Sequence, residues 1–166
     1  MKKDGLVLLL LFASGALKDK VCGSPAFRDR VFLFLENHPE FEKEIREEIP
    51  FQLSSAWPVL EKIAKKMNLK PLDYDCVSAY VLGGKEKEIL PLSHNRLVMN
   101  DCKVFAGVIT AKHSTERMIS VKCRDGIIKK VKYIGKFGGS LKEGDRVVFH
   151  RGYFTGRITA EQEKLL

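Results

Sequence analysis

Before residue 97, hydrophobic positions recur at the three- and four-residue spacing of short amphipathic helices. One predicted helix carries Phe27, Val31, Phe34 and Leu35 on a single face, and it follows a serine N-cap and a proline at the first helical position. Prolines, glycines and capping residues mark the ends of the helices. The predicted boundaries are Ser24-Pro25 for that helix, Pro39 to Pro50 for the next, Ser54 or Ser55 to Asn68 for a third, and Asp73 to Gly83-Gly84 for a last one.

From residue 97 onward, β-branched and aromatic residues dominate, and the spacing changes to that of strands. Asp125-Gly126 predicts a tight hairpin turn, because these residues tolerate positive φ. Thr159 begins a C-terminal helix. Five short strands joined by many turns suggest a small closed barrel, since closure removes exposed edges. Four of these strands are assigned to residues, namely Val104–Thr110, Met118–Cys123, Ile127–Ile134 and Val147–Phe154, and a glycine-bearing loop covers Phe137–Asp145.

Together these patterns predict an α+β protein. Residues 1–84 are expected to form a helical domain, residues 85–96 a polar linker, and residues 97–166 a β-barrel domain with a C-terminal helix. A chain of 166 residues is long enough to fold without disulfides or structural metals.

The first residues allow two interpretations. Met1-Lys2-Lys3, the apolar run Leu6–Phe12 and the small residues after it have the ingredients of a secretory signal. A buried first helix explains the same residues. The run is too short to span a bilayer, so no membrane span is expected. Four widely spaced cysteines argue against a disulfide scaffold and favour a cytoplasmic protein.

The charge is unevenly divided along the chain. Residues 1–98 hold 15 basic and 14 acidic side chains, whereas residues 99–166 hold 14 and 7, so the net charges are +1 and +7. Small barrels bind nucleic acid where aromatic rings stack on bases among cations. A nucleic-acid-binding face is therefore an alternative, formed by Lys129, Lys130, Lys132, Lys136 and Arg146 with the aromatic Tyr133.

Two residues of the barrel half attract attention for their chemistry. Cys102 lies just before the first predicted strand, beside Lys103, and His150 lies in the last one. If the strands that carry them are neighbours, the two side chains meet at one rim of the barrel. A thiolate and an imidazole are ligands for iron or zinc, or a nucleophile and its base. A buried thiol and a hydrogen-bonded core histidine are the ordinary alternative.

The stretch from Gly144-Asp145 through Val147-Val148-Phe149-His150 to Gly152-Tyr153 resembles the C-terminal signature of the hydrogenase assembly chaperones of the HypC/HupF family. Cys102 followed by Gly107 resembles the opening cysteine and first strand of that family. Three positions depart from its pattern: Cys102 is internal instead of following the initiator methionine, Ala106 stands where the family usually has proline, and Gly126 alone stands for the Gly-Gly turn of the family.

This resemblance implies a small OB-like barrel, with Cys102 and His150 at the two positions that the family uses at its iron-carrying site. It implies iron as the cofactor, and a metalloenzyme maturation factor or hydrogenase subunit as the protein partner. The expected function is that of an accessory protein instead of an enzyme. The whole chain also resembles an uncharacterised prokaryotic family that joins a helical half to such a barrel, on Cys22-Gly23, Trp57–Ala64 and Val77–Val81, and that similarity implies no activity.

Overall fold

Six α-helices and five β-strands make up the part of the chain that the computed structural model describes, residues 3–84 and 103–166. The predicted linker, Cys102 and the residues between them lie outside this part. The helices are α1 (Gly5–Lys18), α2 (Pro25–Glu36), α3 (Glu42–Gln52), α4 (Trp57–Met67), α5 (Tyr74–Ala79) and α6 (Ala160–Glu163). The strands are β1 (Val104–His113), β2 (Met118–Cys123), β3 (Ile128–Lys132), β4 (Arg146–His150) and β5 (Tyr153–Arg157).

Several helix ends lie where the capping residues predict them. The Ser24 hydroxyl accepts a hydrogen bond from the Phe27 amide at 3.2 Å, which satisfies one of the unpaired donors at the start of α2. Asn68 ends α4 in the left-handed conformation, with φ 55°. Thr159 and Gln162 form a reciprocal capping box around α6.

Two predicted helix boundaries, at Pro50 and at Ser54 or Ser55, differ from those of the structure. Helix α3 continues past Pro50 to Gln52, because Pro50 removes a single hydrogen bond while the Leu53 amide still closes the last turn on the Ile49 carbonyl at 2.9 Å. Helix α4 begins at Trp57 after Ala56, not after Ser54 or Ser55. Its proline lies in the first turn, where a missing amide proton costs no helical hydrogen bond.

The five strands close into a barrel in the order β1-β2-β3-β5-β4. All neighbouring pairs are antiparallel except β3 and β5, which pair in parallel through Lys132 and Tyr153. The hairpin predicted at Asp125-Gly126 joins β2 to β3, and Gly126 adopts φ 83° there. The mixed helix-and-strand class and the small closed barrel are therefore confirmed.

The predicted strand Val147–Phe154 is two strands, β4 and β5, joined by a turn at Arg151-Gly152. Both turn residues have positive φ, 49° and 77°, which is the geometry of the two-residue hairpin turn. Glycine adopts this conformation freely, whereas arginine rarely does, so the sequence gives a weak turn signal. Because this turn divides the predicted strand into β4 and β5, the closed barrel has five strands.

Helix α1 lies between the other helices and the barrel. It contacts α2 and α5 on the helical side, and β4 and β5 on the barrel side. Leu6, Leu9, Leu10 and Leu17 are completely buried, as expected for a helix that is apolar on all faces. Gly15 allows the close approach to the barrel, because a Cβ at this position would lie 2.4 Å from the Cβ of Arg151. Within the described residues no helix is long and apolar enough to cross a membrane.

The Leu10→Ala substitution tests the central position of α1. We expect the free energy of unfolding to fall by about 2–5 kcal/mol, because the change leaves a cavity in a fully packed interior. Urea unfolding followed by circular dichroism measures it. Phe51→Ala is the control, since Phe51 is 81% exposed and its loss should change stability by less than about 0.5 kcal/mol. Equal effects of the two substitutions would contradict the central position of α1.

Candidate functional site

The pairing of β1 with β4 determines where the candidate residues can meet. Val104, the first residue of β1, pairs directly with His150, the last residue of β4. The expectation that the strand carrying His150 lies beside the first strand is thus confirmed. Cys102 lies outside the described residues, so its distance from His150 stays a prediction.

His150 is buried beneath helix α1, with 2% of its surface exposed. Its Nδ1 lies 2.8 Å from the Phe12 carbonyl oxygen, and its ring stacks on the Phe12 ring with centroids 4.2 Å apart and planes 9° apart. Because a carbonyl oxygen only accepts hydrogen bonds, Nδ1 carries the proton. In the neutral tautomer this makes Nε2 the acceptor nitrogen of the ring.

A cavity of about 140 Å³ opens where α1 meets the end of β4. We call it the seam cavity, and its chemically relevant lining residues are Phe12, Cys22, Ser55, Tyr80, His150 and Arg151. They come from α1, the α1–α2 loop, the turn before α4, the π-helical turn Tyr80–Gly84, the end of β4 and the β4–β5 turn. No sequence pattern connects these segments, so only packing could bring Cys22 and Tyr80 to His150.

The donor set of this cavity decides which ligands it can take. Its lining contains a thiol, an imidazole, a phenol, a hydroxyl and a guanidinium, and none of the described lining residues is a carboxylate. The Arg151 guanidinium donates to Asp19 at 3.2 Å outside that lining. Across residues 3–84 and 103–166, no group of three or more His, Cys, Asp or Glu side chains could hold a metal alone.

The resemblance to the HypC chaperones also rests on Gly107, Gly144, Asp145, Gly152 and Tyr153. The contacts of these residues show structural roles. Gly144 has φ 88°, and the Asp145 carboxylate after it accepts from the Lys142 amide at 3.1 Å and from Arg157 at 2.9 Å. Gly107 lies where a Cβ would be 2.4 Å from the Lys122 carbonyl oxygen. Gly152 forms the β4–β5 turn, and burial, followed by the charge of Asp19, raises the pKa of the Tyr153 hydroxyl.

The six residues of the predicted nucleic-acid face do not form one surface. Lys130 and Lys132 are exposed on the outer side of β3. Lys136, a few residues after the end of β3, is exposed as well. Tyr133, in contrast, is 7% exposed and cannot offer a stacking face as it stands. Arg146 is paired with Glu163.

Lys129 lies on the opposite side of β3 from Lys130 and Lys132, at one end of the barrel. Its ammonium is 3.7 Å from the centroid of the Phe105 ring, close enough for a cation–π contact. Cys123 lies nearby. Burial raises the pKa of the Cys123 thiol, the Lys129 ammonium opposes that rise, and the Asp125 carboxylate adds to it. In the helical half, burial likewise raises the pKa of the Cys76 thiol, with Asp73 adding to the effect.

Comparisons of the chain with protein-family models, with curated proteins and with solved structures found no match. The resemblance to the HypC chaperones therefore stays a prediction from the sequence. The geometry around His150 carries the argument for a function.

The His150→Ala substitution tests how much the contact of His150 with α1 contributes to the stability of the fold. We expect a loss of about 2–4 kcal/mol in the free energy of unfolding, because the change removes the bond to the Phe12 carbonyl and leaves a cavity against the Phe12 ring. Urea unfolding gives the value. His113→Ala is the matched control: the His113 Nε2 lies 3.0 Å from the Ser120 hydroxyl in a half-buried position, and its loss should cost less than about 1 kcal/mol. A larger effect at His113 would refute this assignment.

Proposed function

We propose that this chain is a HypC-like accessory protein of metalloenzyme maturation, which binds a hydrogenase subunit or another maturation factor and holds iron between Cys102 and His150. The observation that carries the proposal is the register of β1 and β4, in which Val104 pairs with His150. Cys102 is two positions before Val104 in the sequence, and two residues of extended chain span about 7 Å at most.

The donor chemistry of His150 supports a metal ligand. Metal-binding histidines usually donate their second ring N–H to a carboxylate or a backbone carbonyl, which fixes the ring and directs the other nitrogen to the metal. The Nδ1 contact with the Phe12 carbonyl is an arrangement of this kind. Imidazole nitrogen and thiolate sulfur both suit iron, so the residues fit the metal that the resemblance implies.

The barrel topology supports an OB-like identity. Five strands close in the order β1-β2-β3-β5-β4, with the single parallel contact between β3 and β5, and a short helix follows the last strand. OB-folds are five-stranded Greek-key barrels of this size. Fold alone assigns no activity, so the metal chemistry needs its own test.

Anaerobic purification of the full chain from its native host tests the maturation function. We expect the chain to carry iron and to co-purify with a hydrogenase subunit or maturation factor, identified by metal analysis and mass spectrometry. Cys102→Ser should lose the iron because a soft ligand is removed. Cys123→Ser should keep it, because Cys123 lies at the β2–β3 hairpin, outside the seam cavity. A metal-free monomer from the unsubstituted chain would refute the proposal.

Nucleic-acid binding is the second candidate, and one observation favours it. The outer face of the β2–β3 hairpin exposes Lys122, Lys130 and Lys132, on adjacent strands. Three ammonium groups on one face can contact a phosphate backbone. The stacking platform expected for single strands is not formed there by Tyr133, which is buried.

A salt series with single-stranded RNA tests this candidate by fluorescence anisotropy. Three phosphate contacts predict a slope of about −2 for log K against log salt, and Lys130→Gln with Lys132→Gln should reduce it to about −0.7. The matched control is Lys65→Gln with Lys66→Gln on α4, which should leave the slope unchanged. Affinity that does not fall as salt rises would eliminate the candidate.

A further inference from the structure

A second cavity, of about 630 Å³, lies between the first turns of α1, strand β5 and the chain that connects β3 to β4. We call it the β5 cavity. Its apolar wall consists of Val7, Leu8 and Leu11 from α1, Phe137 and Leu141 from the β3–β4 connection, and Phe154 from β5. The volume falls within the range of about 300–1,000 Å³ that is typical of sites for small organic ligands.

Helix α1 is incompletely covered at the β5 cavity. Leu6 and Leu9 are completely buried, whereas Val7 and Leu8, which line the cavity, are only half-buried. Gly156 of β5, another lining residue, has no side chain to fill the space. A Cβ at Gly156 would lie 3.5 Å from Leu8 Cδ1, an ordinary van der Waals distance, so the space beside it is open. A ligand with an apolar body would remove this apolar surface from water, which is favourable.

The charged lining residues make the β5 cavity positive. Three of them are cations, namely Lys3, Lys136 and Arg157. Asp4, the one carboxylate among the described lining residues, caps α1 by accepting hydrogen bonds from the amides of its first turn, where the helix dipole is positive. The Arg157 guanidinium pairs with the Asp145 carboxylate at 2.9 Å, so its charge is compensated. The charges of the two lysines remain for an anionic ligand.

Aromatic contacts hold both lysine ammonium groups at the wall of the cavity. The Lys3 ammonium lies 5.4 Å from the centroid of the Tyr74 ring. The Lys136 ammonium lies 5.5 Å from the centroid of the Phe137 ring, and both rings line the cavity. Neither lysine forms an ion pair with a described residue. Because an aromatic ring has no net charge, these contacts position the ammonium groups without neutralising them.

We propose that the β5 cavity binds a small organic anion with an apolar body. The apolar body packs against Val7, Leu8 and Phe154, and the anionic head group lies beside Lys3 and Lys136. Both lysines are exposed, so the head group keeps part of its hydration and its desolvation costs little. The inference goes beyond the proposed function, because no described residue lines both the β5 cavity and the seam cavity.

Titration of the ¹⁵N-labelled full chain with octanoate, followed by NMR, tests the inference. We expect saturable shifts of the backbone amide signals, concentrated at lining residues such as Leu8, Thr155 and Gly156. Hexanoate should bind more weakly than octanoate, by about fourfold for each CH₂ removed from the buried chain. Shifts that do not saturate, or that lie away from the lining residues, would overturn the inference.

The contribution of the head group is measured in the same titration. Lys3→Gln with Lys136→Gln should weaken octanoate binding by between about twofold and twentyfold, the range for two exposed ion pairs. The same double variant should bind octanol, which has the same chain length and no charge, as the unsubstituted chain does. Lys65→Gln with Lys66→Gln is the matched control, since it removes equal charge from α4, outside the cavity, and should not change octanoate binding. Octanoate affinity that Lys3→Gln with Lys136→Gln leaves unchanged would refute binding of an anion here.

A third variant fills the cavity without changing any charge. Gly156→Val adds a side chain that suits a strand and occupies the space beside Leu8. We expect it to weaken binding of both octanoate and octanol by about tenfold or more, because the ligand would have to displace the added methyl groups. Val7→Phe fills the cavity from α1 and should act in the same way. Thermal unfolding identifies which of the two variants keep the fold, and unchanged affinity in a folded variant would contradict binding in this cavity.

Discussion

Burial of helix α1 is the constraint on which the rest of the structure depends. Its apolar residues face the helices on one side and β4 and β5 on the other, so neither half can complete its interior without it. A helix that is apolar all round gains stability only when protein covers every face. The helical half and the barrel consequently share one continuous core instead of two separate ones.

His150 has a structural role and a proposed ligand role, and both depend on one geometry. The bond from Nδ1 to the Phe12 carbonyl fastens α1 to β4, and in the neutral tautomer it makes Nε2 the acceptor nitrogen. The stack on the Phe12 ring holds the imidazole in one orientation. A ligand at Nε2, as proposed, would lose less entropy on binding to a ring that is already fixed, so the structural role does not compete with the proposed one.

Local signals predicted the elements better than they predicted the site. Ser24, Asn68 and the Asp125-Gly126 turn act through atoms close in sequence, so their effect is readable from the chain. The sequence does not predict the turn at Arg151-Gly152, because arginine seldom adopts the positive φ that it has in this turn. Cys22 and His150 line one cavity because α1 packs against β4, and no local sequence pattern predicts that packing.

The two candidate functions use different parts of the molecule, so one does not exclude the other. The lysines of the second candidate lie on the outer face of β2 and β3, whereas His150 ends β4, which pairs with β1 and β5. Lys129 and Arg146 are engaged by Phe105 and Glu163, so the positive charge left exposed near the hairpin is smaller than the sequence total suggests. An exposed basic face also attracts acidic proteins, which makes the same lysines compatible with docking of a protein partner near the barrel.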